Sequence, residues 1–227
     1  MTTYMARHGK IAGRIVKNLL FGLILFIVAG NLTILGANLV ARATAETPPA
    51  PELAGIPNLA VVDENLWRGG APTEEGLRQL ASHGVGTIVD LRAEEDIERN
   101  FGLYRRLGLD LVRIPMRDGQ APRPRQVERF LDVMRRADKR VFVHCGAGVG
   151  RTGTMAGAYL VKTGRAESSE ALTRNLSVGP PSLEQLSFVA ELSDDDVAQP
   201  SAAVTLMSRV IDGPRRIWVN VTNAYSP

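Results

Sequence analysis

Cys145 is the only cysteine of the 227-residue chain, and Arg151 follows it at a C-x5-R spacing within His144-Cys145-Gly146-Ala147-Gly148-Val149-Gly150-Arg151-Thr152-Gly153. A thiolate is a strong nucleophile. A guanidinium forks two hydrogen bonds onto phosphate oxygens. Between them, Gly146, Ala147, Gly148, Val149 and Gly150 are small residues that can wrap with their N–H groups turned inward, making an anion nest at a helix N-terminus. Glycine suits the positive φ values such a wrap needs. This electropositive setting favours a thiolate over a thiol. The chemistry implied is attack by Cys145 on a phosphate ester held by Arg151. Thr152 is placed to hydrogen-bond the sulfur and help it leave in a second step. His144 fixes the loop through hydrogen bonds more than it acts as a base.

Two other readings of the stretch fail. Gly148-Val149-Gly150-Arg151-Thr152-Gly153 matches G-x-G-x-x-G literally, but the dinucleotide fingerprint opens a domain at its first strand. Here it follows three candidate strands, and Glu167 and Glu170 downstream sit in a helical stretch. The nucleotide loop G-x-x-x-x-G-K-[ST] lacks its lysine. Burial as a small core residue is the ordinary fate of a lone cysteine, but not of one framed by His144 before it and Gly-rich residues, Arg151 and Thr152 after it. His8, His83 and His144 are far apart and show no metal-ligand spacing, so no metal is expected.

The segment VHCGAGVGRTG resembles the HC-x5-R-[ST] signature of the cysteine-dependent protein tyrosine phosphatase superfamily, at His144, Cys145, Gly148, Arg151 and Thr152. Leu66-Trp67-Arg68-Gly69-Gly70-Ala71-Pro72 and Gly84–Arg92 (GVGTIVDLR) resemble the opening of its compact dual-specificity-like branch, in a bacterial, exported or membrane-anchored form. The resemblance spans roughly residues 60–192. It implies a cofactor-free hydrolase with a phosphocysteine intermediate. It also implies a general acid on a loop some thirty residues before the cysteine. Asp118, in Ile114–Pro122 (IPMRDGQAP), fits: it follows a strand, precedes a helix and has Gly and Pro neighbours that suit a closing loop. Asp110 on a strand and Asp132 on a helix are worse placed, and Asp90 has a structural role by the resemblance. A glutamine that orients the hydrolytic water is matched only loosely by Gln185, which reads more simply as a surface residue.

These side chains need a sheet to hold them. Leu66-Trp67, Val85–Leu91, Leu109–Pro115 and Arg140–Val143 read as strands. Helices are expected from Thr73 to about Ser82, then over Glu94–Leu107, Arg125–Ala137, Thr152–Thr163, Glu167–Leu176 and Ser182–Leu192. Arg117–Pro124 is a loop. The alternation predicts an α/β fold with a central, mostly parallel sheet flanked by helices, over residues 58–195. In the extension 196–227, Ala202–Ile211 reads as a short helix and Arg215–Tyr225 as a last strand or loose tail, with no role assigned.

Residues 18–40 hold no charge and suffice to span a bilayer. Residues 1–17 are basic, which predicts a cytoplasmic N-terminus with the remainder outside. A cleaved signal is the alternative, since Ala41-Arg42-Ala43 and Ala43-Thr44-Ala45 have the small-x-small pattern; it would leave a secreted or periplasmic domain. Residues 41–57, rich in Pro and Ala, read as a stiff tether. Residues 1–45 carry five basic residues and no acid, which leaves 22 basic and 24 acidic residues elsewhere. A nucleic-acid partner is therefore not expected. One cysteine also excludes an intramolecular disulfide, so an exported Cys145 has no internal partner to lock it.

No residue between Cys145 and Arg151 is basic, which favours a singly phosphorylated group such as phosphotyrosine in protein. Phospholipid or inositol phosphate is the alternative, since Arg68, Arg117 and Arg123 are candidates to supply charge. A catalytically silent phospho-binding protein is disfavoured because Cys145, Arg151 and Asp118 are all present.

Overall fold

The computed structural model describes residues 2–93 and 101–224. Five strands form one sheet: β1 (Ala60–Val61), β2 (Leu66–Gly69), β3 (Val85–Arg92), β4 (Asp110–Met116) and β5 (Arg140–His144), in the order β1-β2-β5-β3-β4. β1 pairs antiparallel with β2; β2, β5, β3 and β4 run parallel. The parallel sheet is as expected. The two-residue β1 is too short to leave a pattern in the sequence.

The helices are α1 (Thr2–Thr44), α2 (Glu74–Ser82), α3 (Phe101–Arg106), α4 (Pro124–Arg136), α5 (Gly150–Lys162), α6 (Ser168–Val178), α7 (Leu183–Ala190) and α8 (Ala202–Ala224). Much of the helix expected over Glu94–Leu107 lies outside the described residues; α3 is its C-terminal part. Thr73 caps α2 by accepting the Gly76 N–H at 3.2 Å.

The period-two alternation of the strands divides the core. Val141 and Val143 of β5, with Val89 and Leu91 of β3, pack under Phe130 of α4, Met155 and Tyr159 of α5 and Phe188 of α7. Phe142, between Val141 and Val143, and Ile88, next to Val89, pack on the opposite face against Leu77 and Leu80 of α2 and Tyr104 of α3. β5 is central and buried on both faces, so its C-terminal end is a rigid platform for whatever follows it.

Three expectations are corrected. Where a last strand or loose tail was expected over Arg215–Tyr225, α8 continues to Ala224, and Tyr225 lies outside the described residues. The tether does not reach Pro57. Leu53 and Ile56 join the second core, the Ala54 N–H donates to Gln79 Oε1, and the Gly55 and Pro57 carbonyls accept from Thr73 and Gly70. The apolar N-terminal segment does not stand clear of the domain either. Arg14–Thr44 is long and apolar enough to cross a membrane, and Leu19, Phe21 and Ile24 are exposed. Its C-terminal half nevertheless docks. Ile34, Asn38 and Ala41 are buried; Asn31 Nδ2 donates to the Ile211 carbonyl of α8 at 3.0 Å, and Asn38 Nδ2 to the Leu176 carbonyl of α6. The asparagines that dilute the hydrophobic run are the ones that bind it to the fold.

Candidate active site

The site forms where β5 ends and α5 begins. β5 delivers His144 and then Cys145, which is 3% exposed. The chain wraps through residues 146–149 and enters α5 at Gly150, so Arg151 and Thr152 lie in its first turn. Cys145 Sγ accepts the Gly148 N–H at 3.3 Å, so a loop amide points at the sulfur, as a nest requires. Gly148 has φ +77°, and a Cβ there would stand 2.2 Å from the Gly69 carbonyl carbon. The tip of the loop fits against the end of β2 only because Gly148 lacks a side chain.

Neighbouring segments hold the outer side of the loop. The Ala71 N–H donates to the Gly146 carbonyl at 2.9 Å, and Asn58 Nδ2 to the Ala147 carbonyl at 2.9 Å. Arg68 of β2 donates through Nη2 to the carbonyls of Gly148 (2.8 Å) and Val149 (3.1 Å), and its guanidinium also reaches Asn175 Oδ1 at 3.3 Å. With their carbonyls drawn outward, the loop residues keep their N–H groups for the ligand side. Burial lowers the Arg68 pKa to about 10, while the Cys145 charge acts the other way. Arg68 was a candidate to meet the substrate; it is 3% exposed and committed to the loop backbone instead.

His144 is fully buried, stacks on Phe142, and has Nδ1 3.3 Å from the Cys145 carbonyl. Burial lowers its pKa to about 4 despite Asp90, whose Oδ2 lies 3.9 Å from Nε2. The ring is therefore neutral near pH 7, consistent with a supporting part. Burial opposes the Asp90 charge, but hydrogen bonds from Arg92 outweigh it and hold the carboxyl below its usual range. Asp90 thus pairs with Arg92 within β3, at the end of the strand beside His144. Thr152 is buried, and its hydroxyl donates to the Gly69 carbonyl at 3.5 Å.

The loop from 117 to 123 brings Asp118 to the same mouth. Arg151 Nη1 donates to the Met116 carbonyl at the end of β4 (3.1 Å), and its Nε lies 3.3 Å from Asp118 Oδ1. Arg151 is 4% exposed in its side chain, whereas the Asp118 side chain is 60% exposed. Gln185 is not a surface residue. It is 1% exposed, it completes the capping box with Ser182 at the start of α7, and its Nε2 donates to the Gln120 carbonyl at 3.2 Å. A Cβ on Gly150 would meet Gln185 Oε1 at 2.4 Å, so α7 packs directly on the first turn of α5. The capping pattern Ser182-x-x-Gln185 was visible in the sequence; the burial was not. Among the described residues, no group of three or more His, Cys, Asp or Glu side chains is placed to hold a metal.

A family model described as DSP-PTPase phosphatase fused to NAD+ kinase matches residues 51–191. The chain belongs to this family. Its match begins where the chain docks onto the catalytic domain and ends just after α7. The chain is 35% identical over 132 residues to the probable NAD kinase 2, chloroplastic, of Oryza sativa subsp. japonica, covering 54% of this chain and 13% of that protein. It is 33% identical over 100 residues to the human dual specificity protein phosphatase CDC14C, covering 44% of this chain and 22% of that one. The chain thus spans less than a quarter of the length of either relative. Among solved structures, the core catalytic domain of the PP-IP phosphatase Siw14 from S. cerevisiae, in complex with citrate, aligns with a TM-score of 0.54 at 18% identity. That alignment covers 64% of this chain and 91% of that one. At that identity the likeness is one of fold. Family and fold are those of the cysteine-dependent, dual-specificity-type phosphatases.

Proposed function

We propose that the chain hydrolyses phosphate monoesters through a phosphocysteine intermediate and acts on singly phosphorylated groups, with phosphotyrosine in protein as the leading substrate. The observation that carries this is the convergence of Cys145, Arg151 and Asp118 at one loop mouth, with Arg151 Nε 3.3 Å from Asp118 Oδ1.

The phosphate dianion sits in the nest formed by the N–H groups of residues 146–151, and the Arg151 guanidinium forks onto two of its oxygens. Cys145 Sγ attacks phosphorus, and an S–P bond forms as the ester P–O bond breaks. Asp118 gives its proton to the departing oxygen. In the second step the Asp118 carboxylate takes a proton from water as that water attacks phosphorus. The S–P bond breaks, inorganic phosphate leaves, and Cys145 returns as a thiolate, aided by the Gly148 N–H. Thr152 assists this departure only by turning its hydroxyl from the Gly69 carbonyl toward the sulfur.

The preference for one phosphate rests on the loop side chains, none of which is charged, and on the burial of Arg68 away from the mouth. Arg117 and Arg123 are exposed beside the acid loop and supply the remaining positive charge. A lipid phosphate is the second reading. It is favoured by the apolar helix α1, which docks directly on the catalytic domain and would hold the mouth near a bilayer that α1 enters.

The test is turnover of p-nitrophenyl phosphate by the full chain, sensitive to vanadate and abolished in Cys145→Ser. Rates on phosphotyrosine peptides, phosphoserine peptides and phospholipid vesicles are then compared side by side. Unchanged turnover in Cys145→Ser would sink the mechanism; faster release from lipid would reverse the order of substrates.

A further inference from the structure

α8 lies outside residues 51–191, the span of the family match, yet two of its side chains reach the support of the acid loop. Ser208 and Asp212 stand one helical turn apart and are both buried. Ser208 Oγ donates to Asp212 Oδ2 at 2.7 Å. The same hydroxyl oxygen accepts the Glu184 N–H at 3.1 Å, and the same carboxylate oxygen accepts the Leu183 N–H at 3.4 Å. Leu183 and Glu184 open α7, where N–H groups have no partner within their own helix. A carboxylate there is also favoured by the helix dipole. Burying a carboxylate merely to pack two helices is costly; this one is used to cap a helix from outside it.

The first turn of α7 in turn grips the loop. Ser182 Oγ donates to the Gly119 carbonyl at 2.8 Å, Gln185 Nε2 to the Gln120 carbonyl at 3.2 Å, and Glu184 Oε1 accepts the Ala121 N–H at 3.0 Å. The three residues that follow Asp118 are therefore all held by one helical turn, and that turn is held by α8. The geometry points to Ser208 and Asp212 as positioning residues for the general acid. They fix α7, α7 fixes residues 119–121, and these fix where Asp118 stands against Arg151. Neither side chain touches the substrate. This rests on the reading of Asp118 as the acid.

The experiment uses the full chain in detergent and two esters. p-Nitrophenyl phosphate has a leaving group that departs without a proton; phenyl phosphate needs one. Asp212→Ala and the milder Ser208→Ala are compared with wild type, Asp212→Asn (which keeps an acceptor) and Asp118→Asn. Asp212→Ala is expected to lower kcat on phenyl phosphate about tenfold, part of the roughly 10²–10⁴-fold worth of a general acid, with much less loss on the nitrophenyl ester. Vanadate inhibition should stay unchanged, and Asp212→Asn should restore most of the rate. In an Asp118→Asn background, Asp212→Ala should add nothing. Equal loss on both esters, no loss on either, weakened vanadate inhibition or full additivity would each overturn the assignment. A wild-type chain without Cys145-dependent turnover overturns the phosphatase reading itself. Selective loss in Asp118→Asn but not in either α8 variant overturns only the role of α8.

Discussion

The Arg151 guanidinium, buried at the start of α5, lies 3.3 Å from the carboxylate of Asp118, which stands mostly in solvent. Arg151 and Asp118, the proposed phosphate-binding cation and general acid, therefore share one edge of the site. Arg151 also donates to the carbonyl of Met116, the last residue of β4, so one side chain meets both the strand end and Asp118 just after it. A phosphate bound on Arg151 would place the ester oxygen within reach of Asp118 with little loop movement.

Replacing Asp118 by Asn keeps the shape and removes the transferable proton. The rate on an alkyl phosphate should fall by about 10²–10⁴-fold, and that on p-nitrophenyl phosphate far less, because nitrophenolate leaves unaided. Steady-state kinetics on the two esters check this. Equal loss on both would mean that Asp118 holds the loop and donates nothing.

Arg68, a candidate to supply charge to the substrate, is buried behind the loop instead. A substrate-facing arginine would affect KM first. Arg68 instead binds the carbonyls of Gly148 and Val149 from behind. Arg68→Met would leave those carbonyls without their donor, at roughly 1–3 kcal/mol for each buried group. A lower Tm, weaker vanadate binding and lower kcat should appear together, and Arg68→Lys should recover only part, since an ammonium lacks the planar fork.

His144 gives the fold an acid-side limit. Its pKa is lowered from 6.5 in the unfolded chain to about 4 by burial. Between those values the unfolded chain binds a proton that the folded chain refuses, so stability rises with pH across this window. The contribution is whole above pH 6.5 and is lost as pH falls toward 4, at a cost on the order of 3 kcal/mol. Asp90, held below its usual range, adds loss in the same direction at still lower pH. Urea melts at pH 7 and at pH 4.5 measure the slope, and His144→Gln should flatten it. A slope unchanged in that variant would place the acid sensitivity elsewhere.

The parts of this site that were legible in the sequence are those made of neighbours. Cys145 and Arg151 announce themselves because one turn of chain must close on one phosphate. β3 and β5 announce themselves because strands buried on both faces read as apolar runs. Asp118 is singled out through the resemblance, which implies an acid on a loop before the cysteine, and its loop does bring it beside Arg151. What escaped is set by contacts between distant residues. Arg68 meets Asn175 across 107 positions, and Asn31 meets Ile211 across 180. Neither partner carries a local pattern that foretells the other. Gln185 reads in the sequence as a surface residue; the local Ser182-x-x-Gln185 pattern points to a cap, but its burial depends on distant partners, Gly150 and the Gln120 carbonyl. The short reading of α8 stops at Ile211, just before Gly213-Pro214, a pair that usually marks the end of a helix.

The docking of α1 is the feature with the widest consequence, and Asn38 tests it. Its side chain donates to the Leu176 carbonyl in the last turn of α6, a position where helix carbonyls lack internal partners. Asn38→Leu would make the helix a better membrane span while orphaning that buried carbonyl, at about 1–3 kcal/mol. If α1 is held by the domain, the variant should loosen the junction, and limited proteolysis within the exposed residues 46–52 should speed up in detergent. If α1 is held by lipid alone, the more apolar helix should insert at least as firmly and the cleavage rate should not change. The two contributions of residue 38, to membrane affinity and to the fold, have opposite signs on substitution, so the direction of the change separates them.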